Sequence, residues 1–276
     1  MAVKKVAFQG ERGAFSEQAA RQLAGSSARV IPCDSFDTLF DRVESGKATA
    51  GVIPIENSLI GSIHRNYDLL LERDLHVIDE TQVRVLHCLI APPGVTVRRV
   101  KKVFSHPAAL DQCRRFFTKH PGLSAEPFYD TAGAVKMLSE ETPPNAAAIA
   151  SPLAAEIYGM KVLRKSIEDE KFNFTRFLLL SKKMRPVRGV AKTSVVFSLK
   201  NEPGNLYRAL SVFALRDIDL RKIESRPSRR KAWQYYFYVD FIGSLDEDRV
   251  KYALANLDEI THFVRILGCY PARVNG

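Results

Sequence analysis

Along the first part of the chain, apolar positions alternate between short strand-like runs and helix-spaced sets. Val3–Gln9 predicts a strand and Ser16–Leu23 a helix. Phe36, Leu39, Phe40 and Val43 recur at helical spacing behind Asp34-Ser35, and Gly46 is placed to end that helix. Ala50–Ile53 predicts a short strand, Tyr67–Leu71 part of a helix, and His76–Ile78 and Val83–Ile90 two further strands. Ala91-Pro92-Pro93-Gly94 reads as a turn. Beyond it come a strand at Val103–Ser105, a helix opening at Pro107, a helix over Thr131–Ser139, a strand at Ala146–Ile149 and a helix from Ser151-Pro152. This alternation with buried strands predicts an α/β fold.

A basic stretch, Lys182–Lys192, carries Pro186 and Gly189 and reads as a linker. The tail behind it predicts a strand (Thr193–Leu199), a helix (Leu206–Leu215), two strands (Leu220–Glu224 and Tyr235–Phe241), a helix (Asp246–Leu257) and a strand (Phe263–Leu267). That order is ferredoxin-like, an α+β arrangement with two helices on one face of an antiparallel sheet. Gln234–Phe241 barely alternates, so aromatic side chains line both faces of its strand. One of those faces has to meet something besides the two helices.

Composition narrows the class. The 276 residues are enough for two domains, and 46% hydrophobic with 26% charged residues is ordinary for a globular chain. No apolar run approaches the roughly 18–20 residues of a membrane span. The N-terminal stretch turns polar by Gln9-Gly10, too soon for a secretory core, so a cytoplasmic protein without membrane association is expected. Cys33, Cys88, Cys113 and Cys269 are scattered and no histidine pair has ligand spacing, so neither a disulfide framework nor a metal site is expected. The net charge of +10 is spread along the chain. Its densest cluster, Ser228-Arg229-Arg230-Lys231, reads as a solvated turn, and no nucleic-acid-binding signature accompanies it. Such a potential draws small dicarboxylates instead.

Candidate chemistry gathers where predicted strands end. Pro54-Ile55-Glu56-Asn57-Ser58 follows a strand, with Gly61-Ser62 just beyond; Asn57 and Ser58 fit a carboxylate-holding junction and plain helix caps equally well. Gly10–Ser16 repeats the theme of strand, glycine turn and hydroxyl, without the spacing of a dinucleotide fingerprint, so a nucleotide cofactor is disfavoured. Ser105-His106-Pro107 and Asp130-Thr131-Ala132-Gly133 repeat it again; His106 by itself reads as a capping or packing residue before a catalyst. Phe172-Asn173-Phe174-Thr175-Arg176-Phe177 sets an amide, a hydroxyl and a fixed charge before the apolar run Leu178–Leu180. No nucleophilic triad, carboxylate dyad or metal set emerges, so orientation and charge placement should carry the reaction without a cofactor.

In order and spacing, Pro54–Ser58 with Gly61-Ser62-Ile63-His64, Ser105-His106-Pro107, Asp130–Gly133 and Asn173–Phe177 resemble the prephenate dehydratase family, which includes the arogenate dehydratases. The tail resembles that family's regulatory ACT domain, with Glu224-Ser225-Arg226-Pro227 matching a word found there. The likeness runs from about Val3 to about Pro271. It implies decarboxylating dehydration of prephenate to phenylpyruvate in L-phenylalanine synthesis, with arogenate as the alternative substrate and prephenate preferred. It also implies a two-lobed catalytic domain like a periplasmic binding protein over residues 1–182. Its lobes are residues 1–80 plus 168–182 and residues 83–165, followed by a linker over 183–192 and an ACT domain over 193–273.

By the same resemblance Thr175 is the catalytic hydroxyl, assisting departure of the 4-hydroxyl. Arg176 holds a carboxylate or makes an ion pair that fixes its strand. Ser16, Asn57, Ser58, Ser105, Thr131 and Asn173 bind the dianion, with Phe177 as wall or core, and Glu56 positions backbone. The effector loop of phenylalanine-sensing relatives is matched by Pro203-Gly204-Asn205-Leu206, where Asn205 replaces a small apolar residue, alongside Glu224, Ser225 and Arg226. ACT domains pair, so a homodimer or homotetramer is expected. Two other readings are a carboxylate-binding protein without turnover and a regulatory ACT protein; the intact Thr175-Arg176 pair speaks against the first.

Overall fold

A computed structural model describes residues 4–25, 27–199, 201–228 and 234–273. Val3 and the basic residues Arg229, Arg230 and Lys231 lie outside the described residues. In chain order the elements are β1 (Lys5–Gln9), α1 (Phe15–Ala24), β2 (Arg29–Cys33), α2 (Phe36–Glu44), β3 (Ala50–Asn57), β4 (Gly61–Ser62), α3 (His64–Glu72), β5 (His76–Arg84) and β6 (Cys88–Ala91). There follow β7 (Lys102–Ser105), α4 (Pro107–Asp111), α5 (Arg114–Lys119), β8 (Ser124–Pro127), α6 (Thr131–Glu141), β9 (Ala146–Ala150), α7 (Pro152–Ile157), β10 (Lys161–Arg164) and β11 (Phe174–Ser181). The tail holds β12 (Ala191–Ser198), α8 (Asn205–Ala214), β13 (Leu220–Pro227), β14 (Tyr235–Ile242), α9 (Asp248–Ile260) and β15 (Phe263–Pro271).

The chain divides into two compact units, residues 1–67 with 81–178 and residues 68–80 with 179–276. The division falls inside α3, β5 and β11. Within the first unit, β2, β1 and β3 are parallel neighbours, with β11 beside β3. A five-stranded sheet in the order β10-β6-β9-β7-β8 carries residues 88–164. Thr175 to Leu180 of β11 are all buried, as a strand covered on both faces requires, which is why its sequence reads as a continuous apolar run after the polar entrance.

The loop after β1 is shaped by close approach. Gly13 has φ +88°, and a Cβ there would come within 2.5 Å of the Ala154 Cα. The Ser151 hydroxyl donates to the Gly13 carbonyl at 2.6 Å. Buried Glu17 accepts from the Gly13 N–H at 2.8 Å and pairs with Arg12 and Arg21. The loop is thus held by a carboxylate from the helix it leads into.

The second unit contains the expected ferredoxin-like order. Its sheet runs β13-β14-β12-β15, all antiparallel, over a core that includes Val195, Phe197, Phe213, Phe241 and Leu257. The other face of β14, with Tyr236 and Tyr238, meets a stretch that the sequence had assigned to the catalytic part. Arg226, beside Tyr236 in register, pairs with Asp68 at 3.3 Å, and Arg265 donates to the carbonyls of Leu71 and Arg73. Gly268 lies in parallel register with Val77, where an added Cβ would stand 2.1 Å from the Val77 oxygen. The second aromatic face therefore finds a partner inside the chain.

Two further differences are local. Val83–Ile90 is not one strand: β5 ends at Arg84 and β6 starts at Cys88, with Val85 N–H bonded to the Asn173 carbonyl. The helix opening at Pro107 is two short ones, α4 and α5, broken at Gln112. All four cysteines are free and buried, and burial pushes the thiols of Cys33, Cys88 and Cys113 up. Among the described residues no helix is long and apolar enough to cross a membrane.

Candidate active site

Asn57, the last residue of β3, sits against the entrance of β11. Its Oδ1 accepts from the N–H groups of Leu59 and Ile60, at 3.0 and 3.2 Å, so its amino group is turned the other way. That amino group donates to Asn173 Oδ1 at 2.7 Å, to Thr175 Oγ1 at 3.0 Å and to the Phe174 carbonyl at 3.2 Å. Asn57 therefore fixes a turn and does not cap a helix. Thr175 Oγ1 is the acceptor in this bond, so its own proton is not used in it.

Ser58 stitches the same two segments together. Its hydroxyl donates to the Phe172 carbonyl at 2.9 Å and accepts from Phe174 N–H at 3.0 Å, while its own N–H donates to the Phe174 carbonyl. Arg176 makes an ion pair with Glu56 at 3.3 Å, the strand-fixing alternative that the sequence left open. Phe177 is buried in β11.

The network continues through residues that carried no motif. Asn173 is fully buried, and its amino group donates to Gln112 Oε1 at 3.0 Å. The same oxygen lies 2.8 Å from His87 Nε2. The His87 N–H donates to Glu168 Oε2 at 3.0 Å, and Arg84 stands 3.7 Å from the other oxygen of Glu168. Burial lowers the His87 pKa, against the opposing pull of Gln112 and Glu168, so the ring is neutral near pH 7. Five side chains thus form a chain of hydrogen bonds, His87, Gln112, Asn173, Asn57 and Thr175.

A cavity of about 260 Å³ opens beside this chain, lined by Gln112, Asn173, Leu59, Arg114 and Arg115 together with four carboxylates. This is near the lower end of ligand-pocket volumes, about 300 Å³, and suits a single-ring molecule. Each of the four acids is already engaged: Asp111 with Arg114, Glu168 with His87 and Arg84, Asp169 with the Arg115 N–H, and Glu170 with Arg115.

The remaining expected residues stand apart from this network. Ser105 is fully buried and its hydroxyl donates to the Ile149 carbonyl at 2.6 Å. Asp130 caps α6 through the Gly133 N–H at 2.8 Å, and Thr131 is that helix's first residue. His106 caps α4, its ring accepting from Ala108 N–H at 3.2 Å. Ser16 lies in the first turn of α1, and its neighbour Phe15 meets the His87 ring edge-on at 5.8 Å. No hydrogen bond joins Ser16, Ser105 or Thr131 to the Thr175 network among the described residues.

In the second unit, Asn205 and Leu206 line a cavity of about 100 Å³ with Tyr235 and Phe237. Pro203 precedes Gly204, whose φ of +82° opens α8. Ser225 stands opposite Phe237 and so faces this side of the sheet. Glu224 and Arg226 point to the other face, where Arg226 holds Asp68.

The family model described as prephenate dehydratase matches residues 6–185, and that of the ACT domain matches residues 193–259. Arogenate dehydratase/prephenate dehydratase 2, chloroplastic, of Arabidopsis thaliana is 47% identical over 278 residues, covering 97% of this chain and 72% of its own length. Arogenate dehydratase 2 of Petunia hybrida is 46% identical over 284 residues, with the same two coverages, 97% and 72%. The structure of prephenate dehydratase from Arthrobacter aurescens in complex with L-Phe is 36% identical, with a TM-score of 0.88 over 97% of this chain and 90% of that one. A structure described as GqqA, a novel type of quorum quenching acylase, is 33% identical, with a TM-score of 0.89 over 98% of each chain.

Proposed function

Because the chain belongs to the prephenate dehydratase family, we propose that it converts prephenate to phenylpyruvate in L-phenylalanine biosynthesis, under allosteric control by phenylalanine at its ACT domain. The reaction removes the ring carboxylate as carbon dioxide and the 4-hydroxyl as water. The electron pair of the breaking carbon–carbon bond enters the ring as the carbon–oxygen bond at C4 breaks, and the departing hydroxide takes up one proton. Aromatisation drives the step, so the protein's task is to orient the dianion and help the hydroxyl leave.

The observation that carries this reading is the Asn57–Thr175 hydrogen bond. It leaves Thr175 as a donor at the mouth of β11, polarised by an amide whose direction is fixed by backbone. Thr175 donates to the leaving hydroxyl; it does not itself line the cavity that Asn173 and Gln112 frame, but is joined to it through Asn57 and Asn173. Arg176, held by Glu56, keeps Thr175 in register and adds positive potential for the carboxylates. Ser16, Ser58, Ser105 and Thr131 act as its frame, with Asn57 directing the Thr175 hydroxyl and Phe177 as buried wall. Mixing the protein with prephenate and following phenylpyruvate absorbance tests the reading; absence of turnover by folded protein would sink it.

Arogenate is the second reading, favoured by the names of the plant relatives. Its ammonium group would sit where prephenate has a keto oxygen, and the four acids beside the cavity keep acceptor capacity beyond their present contacts, so the lining does not by itself separate the two substrates. Side-by-side kinetics on both substrates, with and without phenylalanine, decide between them. Acylase activity, the word in the name of one structural neighbour, finds no support at Thr175. Thr175 Oγ1 is bonded to an amide and to neither imidazole nor carboxylate, so the nucleophile lacks a base.

For the effector, Asn205, Leu206 and Ser225 supply the cavity side of the sheet, with Pro203 and Gly204 shaping the loop. Glu224 and Arg226 act from the opposite face. The exposed Tyr207, Leu215 and Ile223 in this unit support assembly into a homodimer or homotetramer, which light scattering would show as mass above 31.0 kDa.

A further inference from the structure

We propose that His87 is a positioning residue for the dehydration: its imidazole, protonated at Nε2, holds the Gln112 amide and through it the amides that direct Thr175. The proposal rests on the dehydratase reading and deepens the account of the same site.

The direction of every amide in the network follows from one fixed end. The N–H groups of Leu59 and Ile60 can only donate, so Asn57 must give them its Oδ1 and turn its amino group inward. That amino group meets Asn173 Oδ1, which turns the Asn173 amino group toward Gln112. Gln112 must therefore present its oxygen. At 2.8 Å from that oxygen, His87 Nε2 has to carry a proton, since two acceptors do not approach so closely.

The other ring nitrogen agrees with this assignment. His87 Nδ1 is buried without a hydrogen-bond partner, as an unprotonated nitrogen tolerates better than a charged one. Burial also disfavours the cation. One proton is then available, and it sits on Nε2.

The ring is held from several sides. Its backbone N–H donates to Glu168, its carbonyl accepts from Ile167 at 3.1 Å, and Phe15 packs edge-on against it. The Asp169 N–H bonds the Gln112 carbonyl at 2.7 Å, so the segment leading into β11 clamps both His87 and Gln112. With its oxygen receiving two bonds, Gln112 keeps its amino group free of partners among the described residues, as a donor pair for a carboxylate in the cavity it lines. Without His87, only Asn173 among the described residues restrains that amide by a hydrogen bond.

Replacement by Gln and by Phe separates the hydrogen bond from the packing. Gln places an amide nitrogen close to the position of Nε2 and keeps the donor; Phe fills the space and removes it, while the second nitrogen leaves no bond behind. His87→Phe should lower kcat/KM for prephenate by roughly 10- to 100-fold, the scale of a small misplacement of reacting groups. His87→Gln should stay within about threefold, with both variants melting near the wild type. Nitrogen-15 NMR of the wild-type imidazole should show a protonated Nε2 and a bare Nδ1 at neutral pH. A proton on Nδ1, wild-type kcat/KM in His87→Phe, or equal losses in two folded variants would each overturn the proposal. Failure of wild-type protein to turn over either substrate would instead remove the dehydratase reading, with the NMR result still deciding the tautomer.

Discussion

Two sets of strand ends in the first unit look alike in sequence and do different work. At or beyond the ends of β7, β8 and β9, Ser105, Asp130 and Ser151 give their side chains to backbone: Ser105 to the Ile149 carbonyl, Asp130 to the Gly133 N–H, and Ser151 to the Ala154 N–H and Gly13 carbonyl. At the junction of β3 and β11, the Asn57 amino group donates to both Asn173 and Thr175. Side-chain pairs of that kind are the minority of protein hydrogen bonds, roughly 10–15%. Here the two side-chain bonds of Asn57 span 116 and 118 positions of the chain. Chain return, not local motif, turns a capping pattern into a site. The first set builds the frame and the second supplies the donor.

Substitutions in each set should therefore separate activity from stability. The largest effect is expected at Thr175. Thr175→Val removes the hydroxyl at nearly constant shape and should lower kcat/KM by about 10²–10⁴, the range for a lost proton-donating group, with little change in melting temperature. Activity within a few-fold of wild type would move the donor elsewhere. Ser105→Ala should do the reverse. Unbonding the Ile149 carbonyl from a buried hydroxyl should cost about 1–3 kcal/mol of unfolding free energy in denaturant titrations, while kcat/KM of folded protein stays within about threefold. A large kinetic loss there would put Ser105 on the substrate after all.

Asp130 gives the smallest and most diagnostic effect. Desolvation by burial raises its pKa against the pull of the Gly133 and Ala132 N–H groups. A carboxyl whose pKa is higher folded than unfolded favours the folded state when protonated. It opposes folding increasingly as pH rises from the unfolded value, about 3.9, through the raised folded one. Asp130→Asn keeps a good capping oxygen without the buried charge. It should therefore equal or exceed wild-type stability at pH 7, and the difference should shrink as pH falls toward the carboxylate range. A variant less stable at pH 7 and unchanged by acid would show that the charge itself is needed by the helix.

Much of the fold was legible because caps and periodicity agree. Ser35 before α2, Asp130 before α6 and the strand-helix order of the tail all stand where the pattern put them. The strands left out were short or at edges: Arg29–Cys33 contains Pro32, and Ser124–Pro127 and Lys161–Arg164 have no apolar alternation. Pairing makes them strands, and pairing is not local. The attachment of residues 68–80 to the second unit escaped for the same reason, since the Arg226–Asp68 pair spans 158 positions.

At the site, motifs named Asn57, Asn173 and Thr175 but missed Gln112 and His87. Gln112 merely closes α4 and matches no pattern. His87 left one usable signal. An imidazole inside the apolar run Val83–Ile90 needs a buried partner, and the residue that provides it is found only in three dimensions.

A double-mutant cycle on Asn57 and Thr175 tests the central claim most directly. If the amide acts by presenting the hydroxyl, Asn57→Ala should cost kcat/KM about tenfold or more in wild type and almost nothing once Thr175 is Val, so the double variant matches Thr175→Val alone. Losses that simply multiply would contradict the account, because the two side chains would then serve the reaction independently.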